Sequence, residues 1–455
     1  MAFLGAPAPA AEPPANVVTL QVDPQTVVSP IAPDFMGLGY ETSATAQPGY
    51  FSAQNHELVR LYRQLSPHGL IRIGGNISDH TRYVPDGPPI VNPEERLTTI
   101  NQTCLRDLAA FARATGWQVM WGLNLGTGSP AEAVTEARAV TAALGGTLHS
   151  FEIGNEVDLQ PHFKNYAAYY AAYQQFRTAL RTALPQARLS GPDVAGNLHW
   201  VLAFAQTEGH DVQLLTHHYY RSGASDPNAT LACLLAPDAR WADRLDQLHA
   251  ASQAQGVGYR INEVNSFSGG GKTNVSDTFG AALWCLDCLF VLAAHGCAGV
   301  NLETDINQHA WLSHYSPILH DASGHCHACP EYYGLLAFAL AGQGDLVKLT
   351  LAPGNLNLTA YATKRPEGAL WLTIINKDLA QDADVTVTLP AGFASGAAFR
   401  LSAPSATSQA QVTLAGAEVS AAGEWSPRLA EPIAIHSSSI HLPVPHASAV
   451  VLQLK

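Results

Sequence analysis

The chain contains no apolar run of eighteen or more residues, so no stretch of it has the length and character of a membrane-spanning helix. Basic residues are scarce: 24 Lys and Arg stand against 37 Asp and Glu, a net charge of −13, and no basic stripe is visible. A chain so short of cations is not built to neutralise phosphates, and neither nucleic acid nor a membrane is an expected partner. Cysteine is thin as well. The seven cysteines (Cys104, Cys233, Cys285, Cys288, Cys297, Cys326 and Cys329) are too scattered for a disulfide scaffold, and an odd count leaves at least one unpaired. Three of them fall in the apolar stretch 281–297, where they read as small buried hydrophobes. Residues 1–16 lack the basic start and apolar core of a secretory signal and read as a disordered Ala/Pro-rich leader. The compartment stays open: secreted or periplasmic if a signal has been removed, otherwise cytoplasmic. Nothing in the sequence signals an oligomeric state.

What is present is a long, apolar, weakly charged chain. Its 455 residues, 47% hydrophobic and 13% charged, suit a large barrel with an accessory domain. From residue 31 apolar strand-like runs alternate with amphipathic stretches, the pattern of a β/α protein. Strands are expected at 36–41, 70–74, 119–123, 150–155, 188–191, 213–217, 259–262 and 299–303, with helices at 57–65, 105–115, 130–144, 166–184, 241–254 and 278–295. The mean repeat of about 38 residues is one βα unit with generous loops, and eight such units close a (β/α)8 barrel over residues 31–346. From 347 to 455 the pattern changes to short alternating strands (355–362, 369–376, 383–389, 398–402, 449–454), as in a β-sandwich. The strand-like run 17–30 precedes the barrel and is expected to join that sandwich.

Two acids stand out against this frame. The fourth strand ends on Asn155-Glu156, and the seventh carries Asn262-Glu263. Strands four and seven lie across a barrel from each other, and the C-terminal mouth is where this fold keeps its chemistry. A carboxylic acid and a carboxylate converging on one point are the equipment for cleaving an acetal. The acid protonates the departing oxygen, and the carboxylate stabilises or traps the oxocarbenium-like centre.

These residues, together with Arg72-Ile73-Gly74-Gly75-Asn76, His217-His218-Tyr219-Tyr220 and the glycines Gly269-Gly270-Gly271 after Glu263, resemble glycoside hydrolase family 79, the β-glucuronidases and heparanases. The resemblance covers most of the chain. It implies retaining enzymes on a (β/α)8 barrel, with a β-sandwich made from both chain ends and no cofactor or metal. By resemblance Glu156 is the general acid/base and Glu263 the nucleophile, Asn155 bonds the sugar 2-hydroxyl, and Tyr219 donates to Glu263. Glu41, Asn76 and Tyr332 line the glycone pocket, while His218 is a structural barrel residue. Glu41 and Asn76 each have an alternative as a helix cap or loop residue.

The pattern departs after Glu263. The glucuronidases carry a Tyr and a Gly there to hold the uronate carboxylate, some with an added Lys. This chain reads Phe267-Ser268-Gly269-Gly270-Gly271-Lys272, without a tyrosine in either register. The glycine-rich turn still offers N–H groups to an anion, and Lys272 offers charge. A neutral hexose, with Ser268 bonding its hydroxymethyl group, is the alternative. The loop after the eighth strand holds His309, Trp311, His314, Tyr315, His320, Asp321, His325, Cys326, His327 and Cys329. One Cys-x-x-Cys flanked by histidines invites zinc, but a local disulfide or free thiols are the favoured reading. Trp311 and Tyr315 read as a stacking surface for a sugar or aromatic aglycone. The expected activity is a retaining exo-β-glycosidase acting on β-glucuronides. The alternatives are a β-glucosidase or diglycosidase for a neutral sugar, and a non-catalytic carbohydrate-binding protein on the same scaffold.

Overall fold

A computed structural model of the chain describes residues 16–306 and 313–455. Eight parallel strands close a barrel in chain order: Gly37–Glu41, Leu70–Gly74, Gln118–Leu123, Leu148–Ile153, Leu189–Val194, Leu214–Gly223, Gly258–Ser268 and Gly299–Glu303. All eight expected strands are present. They read as near-continuous apolar runs because helices cover their outer faces, and most of their residues are buried. Helix signals are local and strong: Pro130–Leu144 opens on a Ser129–Glu132 capping box with Pro130 in its first turn.

Two strands run longer than the sequence suggests, and both serve the barrel mouth. The sixth continues to Gly223 and the seventh to Ser268, paired in register up to Gly223 against Ser268. Between them sits a bulge, since His217 pairs with Ile261 and His218 with Glu263, which leaves Asn262 as the extra residue. A bulge lets two successive side chains point the same way. Asn262 therefore reaches Glu152 and Asp193 inside the barrel, while Glu263 also faces inward to Arg72.

After the second strand the chain adds a small sheet, Thr81–Tyr83, Ile90–Asn92 and Leu97–Ile100, before the next helix. Ile318–His320 and Cys326–Ala328 pair as a separate two-stranded sheet, and the other strands form one curled sheet whose order brings Val17–Ile31 between Gly344–Ala352 and Ala383–Thr388. Its inner face is an alternating apolar set that includes Val18, Leu20, Leu372, Ile374, Val385 and Leu452. The strands Gly344–Ala352 and Ser439–Val444 escape a sequence reading. Ser439–Val444 contains Pro443, which argues against a strand on sequence alone. Sheet and barrel are pinned at Asp287 on the helix Phe279–Ala294, which receives Lys377 at 2.5 Å, Thr359 at 2.6 Å and Tyr361 at 2.8 Å.

Candidate active site

The barrel mouth gathers acids from four strands around one arginine. Arg72, in the middle of the second strand, is fully buried. It donates to Glu263 at 2.7 Å, to Asp193 at 2.8 Å and to Asn155 at 2.5 Å, and lies 3.4 Å from Glu152. Glu303, at the end of the eighth strand, lies 4.0 Å from the same guanidinium. Gly39 on the neighbouring strand lies against it, and a Cβ there would sit 2.6 Å from the Glu303 carboxylate.

A second cation completes the set. His218, buried on the sixth strand, meets Asp193 at 2.7 Å through Nε2 and Glu156 at 3.2 Å through Nδ1, with Glu263 at 3.6 Å. Burial alone would strip the proton from this imidazole, but Glu263 and Asp193 outweigh it and raise its pKa well above the usual histidine range. The local charges then sort themselves. Burial pushes Glu263 upward, yet His218 and Arg72 more than reverse this and hold its carboxyl below the usual range. Asp193 is lowered for the same reason, chiefly by Arg72 and then His218, against its burial. Burial raises Glu156, and the charge of Glu263 adds to that, against the His218 contact. Glu152 is pushed up to about 8 by burial and by Asp193, and Glu303 well above its normal value by burial and by Glu263. Two anions, Asp193 and Glu263, thus balance two cations, Arg72 and His218, while Glu156, Glu152 and Glu303 are biased toward the neutral acid. A buried cluster with net charge near zero avoids the desolvation cost of unpaired ions.

Backbone geometry aims the acids. The fourth strand gives way at Gly154 (φ 88°) to a turn in which Glu156 itself has φ 43°. Strain of this kind persists where surrounding bonds over-determine it. Here the Asp79 carboxylate accepts N–H groups from Leu125 at 2.9 Å, Gly126 at 2.8 Å and Asn155 at 3.1 Å, tying the loops after three strands together. One oxygen of Glu156, one of Glu263 and one nitrogen of His218 all lie within 4.8 Å of each other. Three such groups could in principle ligate a cation. Both nitrogens of His218 face carboxylate oxygens, however, so its proton-bearing form is the favoured one and a lone pair is not on offer.

Glu156, Glu263 and Asn155 converge as the sequence suggests, and Asn155 passes a hydrogen bond to Asn76 at 3.2 Å. Glu41 lies at the rim, where its carboxylate accepts the N–H groups of Asn76 (3.1 Å) and Ile77 (2.7 Å) and burial raises it to about 8. Several assignments need correction. The tyrosine that donates to Glu263, at 2.8 Å, is Tyr220, not Tyr219. Side chains alternate along a strand, so with His218 and Tyr220 facing in, Tyr219 faces out, stacked on Trp241 at 4.1 Å and bonded to Asp238. His218 is part of the site rather than a structural barrel residue. Tyr332 is fully buried in the helix Pro330–Ala341 and donates to the Leu61 carbonyl at 2.7 Å, away from the acids. Phe267 is fully buried in the hydrophobic core, so its ring offers no face to a ligand.

Tyr315 stacks on Tyr220 with ring centres 6.1 Å apart. His309 and Trp311 lie outside the described residues. Ser268 sits at the strand end, half-buried, and the Lys272 ammonium donates to the Ala224 carbonyl at 3.2 Å. Gly269, Gly270 and Gly271 have φ of 80°, 85° and 84°, a run only glycine adopts readily. Among the described residues none of these three donates its N–H to a protein acceptor, although Gly270 and Gly271 are buried. Farther out, Cys326 and Cys329 are free thiols. The histidines beside them pair with acids, His325 with Glu57 at 2.9 Å and His327 with Asp321 at 2.7 Å. Asp193, Glu152 and Glu303 are residues of this cluster that the sequence reading did not single out, and Arg72 entered it only as part of the resemblance, without a role. The available signal was an ionisable side chain inside an otherwise apolar strand.

No protein-family model matches the chain. It is 23% identical over 383 residues to a β-glucuronidase of Aspergillus niger, covering 76% of this chain and 69% of that protein. Against a heparanase-like protein 1 of Arabidopsis thaliana it is 23% identical over 388 residues, covering 76% and 68%. The aligned part therefore spans about two thirds of these relatives. Among solved structures, a 4-O-α-L-rhamnosyl-β-D-glucuronidase of Fusarium oxysporum in complex with Rha-GlcA superposes with a TM-score of 0.80 at 19% identity, covering 96% of this chain and 100% of the other. A family 51 α-L-arabinofuranosidase of Bifidobacterium longum superposes with a TM-score of 0.71 at 14% identity, covering 96% and 99%. Both likenesses carry the fold, a (β/α)8 barrel with a β-sandwich.

Proposed function

We propose that this chain, a glycoside hydrolase similar to the family 79 β-glucuronidases and heparanases, is a retaining exo-β-glucuronidase. The observation that carries the reading is the pair Glu156 and Glu263, with oxygens within 4.8 Å and opposite biases on their protons. Retaining glycosidases hold their carboxyls about 5–5.5 Å apart, and the approach of the nearest oxygens of this pair supports that geometry. In the first step Glu156 gives its proton to the glycosidic oxygen as that bond breaks, and Glu263 forms an ester to the anomeric carbon. In the second, Glu156 takes a proton from water, whose oxygen displaces Glu263 and leaves the hemiacetal with its original configuration. Neutralising the charge of Glu263 in the ester removes one cause of the raised Glu156 pKa, which suits its change from acid to base. Asn155, fixed by Arg72 and Asn76, is the donor for the 2-hydroxyl.

The uronate is supported by the buried Gly270 and Gly271, whose N–H groups meet no acceptor among the described residues, because buried N–H groups are nearly always matched by an acceptor. A carboxylate supplies acceptors without a tyrosine hydroxyl, and Lys272 stands beside the turn. The neutral-sugar reading retains one observation in its favour, the buried apolar Phe267 where the glucuronidases have a Tyr. The test is release of 4-nitrophenol from its β-glucuronide. Strong cleavage of the β-glucoside with none of the glucuronide would transfer the assignment to a neutral sugar. A uronate-configured cyclophellitol probe should leave covalent mass on Glu263, and binding without labelling would mean a carbohydrate-binding module instead.

A further inference from the structure

Among the described residues the Glu156 carboxyl has one hydrogen-bond partner, His218, and a single side-chain contact does not fix the direction of a glutamate. The remaining constraint is the backbone. Glu156 has φ 43°, and its carbonyl accepts the N–H of Leu159 at 2.8 Å. Both ends of the turn 155–160 close on one side chain from another loop. Asp79 Oδ2 accepts the N–H of Asn155 at 3.1 Å and the side-chain amide of Gln160, whose nitrogen also donates to the Asn155 carbonyl at 2.9 Å. Its Oδ1 accepts Leu125 and Gly126 from the loop after the third strand. We propose that Asp79 and Gln160 are positioning residues for the acid/base step: they hold the turn that aims Glu156, so their loss impairs proton transfer to the leaving group and spares attack by Glu263.

The inference rests on the acid/base reading of Glu156 and is independent of which sugar is bound. Asp79 is 6% exposed, and all four of its donors are neutral N–H groups, so no ion pair accounts for an acid buried there. Only a carboxylate presents acceptors to four donors on both of its oxygens; an asparagine would turn an NH2 group toward N–H groups on one side. Burial raises the Asp79 pKa to about 6 and the backbone N–H groups of Gly126, Asn155 and Leu125 pull against it, which leaves the carboxylate form at neutral pH. The neighbouring loop is shaped around this side chain. A Cβ on Gly126 would come 2.7 Å from the Asp79 Cβ, and Thr127 Oγ1 donates to the Asp79 carbonyl at 2.8 Å. Glu263 stands outside the clamp, on the seventh strand, where Arg72 and Tyr220 hold it at 2.7 and 2.8 Å. A displacement of about 1 Å in a catalytic group can cost about a hundredfold in rate, so loosening the turn should tell on Glu156 first.

The test compares methyl β-glucuronide, whose leaving group needs a proton, with 2,4-dinitrophenyl β-glucuronide, whose leaving group departs without one. If the enzyme accepts only a neutral sugar, the matching glucosides replace them. Asp79→Asn and Gln160→Ala should each lower kcat/KM on the methyl glycoside by about tenfold or more and leave the dinitrophenyl glycoside within about threefold. Azide, a nucleophile that needs no base, should raise kcat of both variants on the dinitrophenyl glycoside and give the glycosyl azide, its nitrogen displacing Glu263 from the anomeric carbon. A merely structural role gives equal losses on both substrates and no azide product. That result overturns the assignment, as does unchanged turnover of the methyl glycoside. Should Asp79→Asn fail to fold, Gln160→Ala decides alone. Glu156→Ala is the reference: a split between substrates there but not in the two variants overturns the positioning role only, whereas no split in Glu156→Ala removes the acid/base reading and the positioning role with it.

Discussion

Replacing Tyr220 by phenylalanine removes one hydroxyl and keeps the ring that stacks on Tyr315. The hydroxyl donates to Glu263 at 2.8 Å and stabilises only the ionised carboxylate, the form needed to attack the sugar. A hydrogen bond to a charged group is worth about 1.5–3 kcal/mol, and one pKa unit corresponds to about 1.36 kcal/mol. The pKa of Glu263 should therefore rise by about one to two units. In the native site that pKa is depressed, because His218 and Arg72 outweigh burial, so under the proposed mechanism activity should persist as pH falls until Glu263 takes up a proton. Raising it moves the acid limb of the kcat/KM profile upward by the same one to two units, costing about tenfold to hundredfold at a pH on that limb. The neighbouring tyrosine is the control. Tyr219 stacks outward on Trp241, and Tyr219→Phe should leave the limb in place. Initial rates on 4-nitrophenyl β-glucuronide from acid to neutral pH decide the matter. An unmoved limb in Tyr220→Phe, or an equal shift in Tyr219→Phe, refutes the reasoning.

Arg72→Met removes the cation shared by Glu263, Asp193 and Glu152, and losing one partner of a buried ion pair costs about 3–5 kcal/mol. A marked fall in the thermal midpoint with loss of turnover is expected, and native stability would contradict the charge balance described above. Glu156→Ala should slow hydrolysis of an alkyl glucuronide by orders of magnitude but spare a 2,4-dinitrophenyl glucuronide in its first step, since that leaving group departs without a proton. Equal losses on both would assign Glu156 another role. Lys377→Met removes the cation from the Asp287 carboxylate, which keeps only the Thr359 and Tyr361 hydroxyls, so stability should drop by about 3 kcal/mol with kcat within twofold. Unchanged thermal unfolding would show the contact to be dispensable.

The barrel was legible because each of its strands is an apolar run separated by an amphipathic stretch, so hydrophobic periodicity alone counts to eight. Glu156 and Glu263 were legible because both sit at or near the ends of such runs, and strand order puts four and seven across the same mouth. Tyr219 and Tyr220 could not be told apart in this way. Which of two neighbours faces inward depends on the register of the strand, and the bulge at Asn262 is a pairing feature with no local signature. His218 was misjudged for a related reason. Its charge state is a property of Asp193 and Glu263, which lie 25 and 45 positions away in the chain and meet it only after the barrel closes.

The sequence by itself determined the architecture and the presence of two acids suited to an acetal, since periodicity and residue type are written locally. Tertiary structure decided which protons those acids carry. That follows from Arg72, His218 and Asp193 being brought into one dry cluster, where Coulomb interactions between residues distant in the chain outweigh their intrinsic pKa values. It also decided which of Tyr219 and Tyr220 meets Glu263, because the direction of a side chain belongs to the register of the paired strands and not to the residue itself.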